Sequence, residues 1–174
     1  MNSEVQSVKI RYMKRILILL AGMLSAAGIL SAQTLPDVMV ENMDGEQVSI
    51  RSVVTGKPAI ISFWGVTCKP CINELNALND AMEDWLAEVD FDIIAVSVDD
   101  SRFFPKAKSM TQGYGWQFNC VFDKNQDLKR AMNVSLTPQT FIVDASGKIV
   151  YSHSGYTPGS EAELFERLVE LTED

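Results

Sequence analysis

Histidine is nearly absent from this chain, with one in 174 residues. That scarcity excludes a two-His metal site, a zinc-protease helix and a Cys-x-x-Cys-His haem attachment. Basic residues are also in deficit, 15 Lys+Arg against 23 Asp+Glu, for a net charge of −8. Nucleic acid is thereby disfavoured as a partner, because phosphate binding needs a basic surface. Cysteine is sparse too, with three in the whole chain. No internal repeat, low-complexity stretch or linker divides the sequence. The length fits one ordinary domain, and 47% apolar with 22% charged residues suits a globular core rather than disorder.

What is present begins with an address. Lys9, Arg11, Lys14 and Arg15 precede an uncharged run from Ile16 to Pro36, and its end is rich in small residues, Ser31-Ala32-Gln33. A basic start, an apolar middle and a small-residue end predict a secretory signal peptide over residues 1–32, cleaved after Ala32. The domain then covers 33–174. Met13 is itself a plausible start, with 1–12 as an upstream extension. The competing reading is an uncleaved membrane anchor, since the run is about long enough to span a bilayer. In both readings the domain is exported to the periplasm or cell envelope, and the membrane is touched only through this segment. Removing it takes away four Lys/Arg and one Glu, which leaves a net charge of −11. Cys68, Cys71 and Cys120 all remain, in a compartment where disulfides persist.

The remainder reads as one alternating α/β domain. Segments 38–41 and 47–50 flank Asp44-Gly45, a hairpin signal. Residues 59–64 form a short apolar, β-branched run, a strand buried on both faces. From 70 to 87, Ile72, Leu75, Leu78, Met82, Trp85 and Leu86 recur at steps of three and four, a helix with one core-facing stripe. A second buried strand is expected at 91–98, and then a helix capped by Ser101 that runs to about 112, with Pro105 in its opening turn. A strand at 118–122, a helix near 126–132 and a hairpin of 139–144 with 148–154 follow. The last helix starts at Ser160, with Glu163 completing a capping box. Its buried stripe is Leu164, Phe165, Leu168 and Leu171. This order predicts a central mixed sheet with helices on both faces, an N-terminal β-hairpin and an inserted helix-strand-helix segment.

The chemistry lies where the first buried strand meets the long helix. Trp64-Gly-Val-Thr-Cys68-Lys69-Pro70-Cys71 sets two thiols three residues apart at a helix entrance. There the unpaired backbone N–H groups and the helix dipole favour negative charge, so a thiolate at Cys68 is stabilised and activated as a nucleophile. Lys69 adds positive charge, and Pro70 suits the opening turn. Cys71, one turn in, is placed to resolve a mixed disulfide on Cys68. A structural disulfide over so short a loop would restrain little unfolded chain. A zinc site would need Cys120 and His153, which form no second close pair.

Phe63-Trp64, the Cys68–Cys71 motif and Thr137-Pro138 before the strand at 139–144 together resemble the thioredoxin superfamily. Export, Glu74 three residues after Cys71 and the extra segment between Asp99 and Val134 are similar to its TlpA-like or ResA-like thiol–disulfide oxidoreductases, within the wider AhpC/TSA–redoxin-like group. The resemblance covers about residues 36–173. It implies a thioredoxin-like α/β fold and catalysis by Cys68 and Cys71, with a cis Pro138 facing the pair. It also implies that Thr137, Pro138, Trp64, Lys69 and Pro70 line the site for a client polypeptide. Glu74 matches a family acid that relays protons to or from Cys71; as a bare residue it also reads as a solvated helix-surface carboxylate. The implied activity is exchange with client proteins carrying disulfides or thiols, as a reductase, for instance in apocytochrome c maturation or envelope thiol homeostasis. It would be re-reduced by a membrane electron donor and would need no cofactor or metal beyond the redox-active Cys68–Cys71 disulfide.

Three positions depart from the pattern. Ser62 stands where thioredoxin itself carries a buried Asp, which shifts weight to Glu74. Thr67 replaces a Trp before the first Cys, and Asn76 replaces a helix-kinking Pro, so a straighter helix is expected. Two rival functions share these features. A thiol peroxidase would carry Pro and Thr seven and three residues before its Cys; those places hold Ile61 and Gly65 before Cys68, and Trp64 and Cys68 before Cys71. A Cu(I) metallochaperone would use the thiols as soft ligands, with wider Cys spacing and a nearby His. Cys120 alternates with Phe118 and Phe122 and reads as a core thiol. His153 reads as a hydrogen-bonded strand residue, too isolated to ligate. Asp99-Asp100 reads as a strand-end turn, and Tyr114 and Trp116 as loop packing.

Overall fold

A computed structural model describes residues 33–54 and 56–172. The segment expected to direct export, 1–32, lies outside the described residues. Elements run β1 (Met39–Glu41), β2 (Gln47–Ser49), α1 (Ile50–Val53), β3 (Ala59–Trp64), α2 (Lys69–Leu86), β4 (Asp92–Ser97), α3 (Phe104–Tyr114), β5 (Asn119–Phe122), α4 (Asp127–Ala131), β6 (Gln139–Val143), β7 (Ile149–Ser154) and α5 (Glu161–Glu170). Seven strands form one sheet in the order β2-β1-β5-β4-β3-β6-β7. The central β3, β4 and β5 are parallel, and antiparallel pairs close both edges. The mixed sheet, the N-terminal hairpin and the inserted α3-β5-α4 segment match the expected architecture.

Strand β3 explains why the sheet is covered twice. All six of its residues are buried, and alternate side chains enter two separate cores. Ile60 and Trp64 join Leu75 and Leu78 of α2, Ala107 of α3, and Leu164 and Leu168 of α5. Ala59, Ile61 and Phe63 join Ile50 of α1, Leu128 of α4 and Met132 on the opposite face. Each such fully buried Leu, Ile or Phe side chain contributes about 1.5–3 kcal/mol. Ser62, the one polar residue of β3, shares the face of Ile60 and Trp64 and therefore points at α2.

Four local expectations are corrected. Ile50 opens the short helix α1 instead of ending β2; Ser49 caps that helix by accepting the Arg51 N–H. Ser101 does not cap α3, which starts at Phe104 with no side-chain cap. The preceding turn belongs to Asp100, whose Oδ1 accepts the Arg102 N–H and whose carbonyl accepts those of Phe103 and Phe104. Ser160 and Glu163 form no capping box, because Ser160 is already helical (φ −70°, ψ −14°) and its hydroxyl has no partner. Glu161 takes over that entrance by accepting from the Gly159 N–H and the Tyr156 hydroxyl, both at 3.0 Å. Leu86 ends α2 exposed, outside the buried stripe.

Candidate active site

The C-terminal end of β3 delivers the chain into a tight loop. Its turn is closed by the Cys68 N–H on the Gly65 carbonyl at 2.9 Å. Asp99, just past β4, steadies the loop: its Oδ2 accepts the Val66 N–H at 3.0 Å and the Ser97 hydroxyl at 2.9 Å. Cys68 is the N-cap of α2, with extended backbone, and its sulfur accepts the Cys71 N–H at 3.3 Å. A side-chain acceptor at this position satisfies one of the helix's orphan donors. Because the acceptor here is sulfur, the same N–H and the helix dipole favour the thiolate whenever the pair is reduced. No acidic residue lies in the first turn of α2 to oppose that charge.

Cys68 and Cys71 form a disulfide. The two sulfurs are unequal: Cys68 is half-buried, whereas Cys71 is fully buried, with Sγ 3.9 Å from the Phe63 carbonyl oxygen. Lys69 and Pro70 between them are exposed. The sulfur that a molecule in solution can reach is therefore that of Cys68, flanked by a cation and a proline.

One turn after Cys71 on the same helical face, Glu74 is 0% exposed, so it is not a solvated surface carboxylate. Ser62 Oγ donates to Glu74 Oε2 and Thr140 Oγ1 donates to Oε1, both at 2.9 Å. The two hydroxyls lie 3.2 Å from each other. Strand register creates this cradle: Ser62 pairs with Thr140 across β3 and β6, and Thr140 pairs with His153 across β6 and β7. Three polar side chains thus form one cross-strand row under α2, on a face otherwise apolar. At the end of the row His153 Nε2 is 3.3 Å from Glu74 Oε1, near enough for charge pairing but not aligned as a hydrogen bond. Chemically the cradle is two-way. When Glu74 is ionised, both hydroxyls donate to it. When it is protonated, its O–H can donate to Ser62, Ser62 to Thr140 and Thr140 back to Oε1. Either state leaves no carboxyl oxygen unpaired, a defect that costs about 1–3 kcal/mol or more in a buried site.

The other expected site residues are distributed unevenly. The Thr137–Pro138 peptide is cis. Pro138 directly precedes Gln139, which pairs with Phe63, so it lies at the β3 end that carries the Cys68 loop. Pro138 is buried and its carbonyl accepts the Gly155 N–H; Thr137 is half-buried, and Leu136 before it is 76% exposed. Trp64 is a correction. Expected on the client surface, it is fully buried, edge-on to Trp116 at 5.2 Å, and can only support the loop from beneath. Trp116 stacks between Tyr114 and Phe118, and its Nε1 donates to Asn76 Oδ1 at 2.8 Å. Asn76 therefore ties α2 to this aromatic stack, and α2 runs unbroken for 18 residues.

His153 and Thr140 were not singled out as site residues by the sequence, and His153 is not isolated as expected. A usable signal existed: Thr140 is the one polar residue that shares the inward face of Ile142 in β6. Reading it against Ser62 requires the β3–β6 register, which a single sequence does not display.

Residues 32–152, more than half of the chain, match the AhpC/TSA family. The chain belongs to the AhpC/TSA family. Within known relatives of this family member, the thiol–disulfide oxidoreductase ResA of Bacillus thuringiensis (strain Al Hakam) is 29% identical over 115 residues. That match covers 66% of this chain and 64% of the relative, so the chain spans a little under two thirds of that protein's length. A thioredoxin-like protein from Porphyromonas gingivalis, solved in solution, is 46% identical with a TM-score of 0.72, covering 80% of this chain and 92% of that one. The fold is thioredoxin-like. A secreted Mycobacterium tuberculosis disulfide oxidoreductase homologous to E. coli DsbE shares that fold at 20% identity and a TM-score of 0.63, covering 78% and 96% of the two chains.

Proposed function

We propose that this protein is an exported thiol–disulfide oxidoreductase that reduces disulfides in client polypeptides through Cys68 and Cys71. The observation that carries this reading is the inequality of the pair: Cys68 is accessible at a helix N-cap, and Cys71 is sealed one turn from a buried carboxylate. In the reduced protein, Cys68 thiolate attacks a client disulfide, forms a mixed disulfide and expels one client thiolate, which takes a proton from solvent. Cys71 then passes its proton to Glu74 and attacks Cys68. The Cys68–Cys71 disulfide closes and the second client thiolate leaves. Two electrons pass from the protein to the client.

The client would lie across the Cys68 loop and the cis-proline loop. The Thr137 backbone would pair with it, Pro138 would shape the floor, and Lys69 and Pro70 would border the attacked sulfur. Leu136 supplies exposed apolar surface beside them. Support for this activity comes from the ResA relative. Support for export comes from the basic and apolar pattern of residues 1–32, with the domain beginning at 33, and from the secreted nature of the M. tuberculosis neighbour. In an oxidising compartment the pair must be re-reduced, which calls for a membrane electron donor carrying a dithiol.

The test is to express Cys71→Ser in the exporting cell and isolate mixed disulfides. Clients bound in a form that thiol reductants release, and that vanish in Cys68→Ser/Cys71→Ser, are the expected result. Recovery of the same proteins without Cys68 would overturn the mechanism.

A further inference from the structure

The proton that Glu74 takes from Cys71 has no direct way out, since both residues are fully buried. Ser62 and Thr140 can reorient around it but cannot carry it away, because neither hydroxyl holds an extra proton near neutral pH. We propose that His153 is the proton outlet of Glu74, passing that proton between the buried carboxyl and a surface cleft during each redox cycle. This rests on the reductase reading above and adds to it a relay residue that acts through Glu74.

Three observations carry the inference. His153 Nε2 lies 3.3 Å from Glu74 Oε1 and is the nearest titratable nitrogen to that oxygen among the described residues. The nitrogen is sealed from solvent and has no hydrogen-bond partner in this oxidised form, whereas the side chain as a whole keeps 20% of its surface exposed. A buried ring nitrogen without a partner is costly, and a small ring movement toward the carboxyl would supply one. The imidazole also lines a surface cleft of about 360 Å³, together with Gly155, Tyr156, Ser160 and Glu163. One ring therefore touches the buried acid on one side and the outside on the other.

The surrounding groups suit that task. From α2 the ring faces Glu74. From α5 it faces Glu163 across the cleft, with Arg167 over the ring of Tyr151. Tyr151, on its own strand, lies 5.8 Å away ring to ring. From the β7–α5 loop it faces Tyr156, whose hydroxyl donates to Glu161. Burial and that Glu161 contact push the Tyr156 phenol up to about 12, so it stays protonated and does not compete as a base. His153 is the one group in this set with two ring nitrogens, so it can accept a proton on one side and release one on the other.

The balance is simple. Cys71 S–H gives its proton to the Glu74 carboxylate as the Cys68–Cys71 bond forms and the Cys68–client bond breaks. Glu74 O–H gives it to neutral His153 Nε2, and the imidazolium releases a proton from Nδ1 to water in the cleft. The carboxylate is restored, and the expelled client thiolate is protonated from solvent.

The experiment uses full-length reduced protein and dithiobis(nitrobenzoate), a disulfide with a coloured leaving thiolate. Its first phase reports attack by Cys68 and its second reports closure by Cys71. In His153→Ala, which leaves space for an added imidazole, the first phase is expected to hold its rate. The second should slow about tenfold, lose its pH dependence near neutrality and recover on addition of imidazole. His153→Gln, with a smaller change of shape, should show the same slowing, so a folding defect in one variant does not decide the matter. A second phase at wild-type rate in either folded variant overturns the outlet, as does slowing in His153→Ala that imidazole never relieves. Failure of the wild-type protein to release a second thiolate would instead overturn the reductase reading.

Discussion

Two buried carboxylates sit on opposite sides of the sheet's core strands and are held in opposite ways. Asp123 follows β5 and is 2% exposed. Its Oδ1 accepts the Asp127 N–H at 2.9 Å and its Oδ2 the Lys129 N–H at 2.8 Å, so it closes the entrance of α4. Glu74 on α2 is equally buried but meets no backbone donor, only Ser62, Thr140 and the ring of His153. A backbone N–H can only donate, so the Asp123 shell fits one protonation state. Hydroxyls and imidazole both donate and accept, so the Glu74 shell fits two. The difference teaches that burial does not by itself mark an acid for catalysis. What suits a buried acid to proton transfer is a shell whose donors can turn around.

The largest expected effect comes from making Glu74 unable to carry a proton. Glu74→Gln should slow Cys71 closure about 100-fold, read as the second phase of reduction of a model disulfide. Its stability should change by less than about 1 kcal/mol, because the amide can donate to Ser62 and accept from Thr140. The matching change at Asp123 should do the reverse. In Asp123→Asn the amide NH2 would replace one carboxylate oxygen and leave the backbone N–H it served without an acceptor, at about 1–3 kcal/mol in denaturant unfolding. Both phases of disulfide reduction should stay within about twofold, as expected of a change distant from the site. Burial pushes the Asp123 carboxyl up, and the backbone donors of 127–129 only partly oppose it. The folded state then holds that proton more tightly than the unfolded chain. This contribution to stability is thus present below the ordinary carboxylate value and is lost as pH rises through the raised one. Asp123→Asn should remove that component from the pH dependence of melting. Equal loss of rate in the two variants would break the comparison.

A smaller change sharpens it. Thr140→Val keeps the shape of the side chain but leaves Glu74 Oε1 with no hydroxyl donor. Closure should slow about tenfold, less than for Glu74→Gln, because Ser62 still serves Oε2 and the carboxyl remains. Restoration of the rate by Thr140→Ser would assign the loss to the hydroxyl and not to packing.

How much of this was legible beforehand follows the range of each interaction. The strand at 59–64, the long helix and the two thiols at its entrance are patterns within one stretch, residues 59–86, and all three stand as read. The cap residues were local too, yet Ser101 and Ser160 lost to Asp100 and Glu161. Several oxygens competed for the same few N–H groups, and only geometry decides such contests. The row of Ser62, Thr140 and His153 joins residues up to 91 positions apart through two strand registers, a relation that composition and spacing do not carry. Trp64 reads as a site residue by adjacency to the motif. It is buried because both faces of β3 are covered, and alternation puts it on the α2 side of the sheet.

Cys120 supplies the control in which burial acts with no accommodating shell at all. It packs in the same core as Ile60 and Phe122, and its thiol donates to the Phe118 carbonyl at 3.7 Å. Burial alone pushes its thiol up to about 12. At pH 8 the thiol therefore stays protonated, and the thiolate is the reactive form. In the native oxidised protein, iodoacetamide should leave Cys120 unmodified over hours at pH 8, by mass measurement. In denaturant, where the thiol regains its ordinary value, one equivalent should add within minutes. Rapid labelling of the native form would mean that some unseen group compensates the charge, as the hydroxyls do for Glu74, and the contrast between inert and accommodated burial would fail at its simplest case.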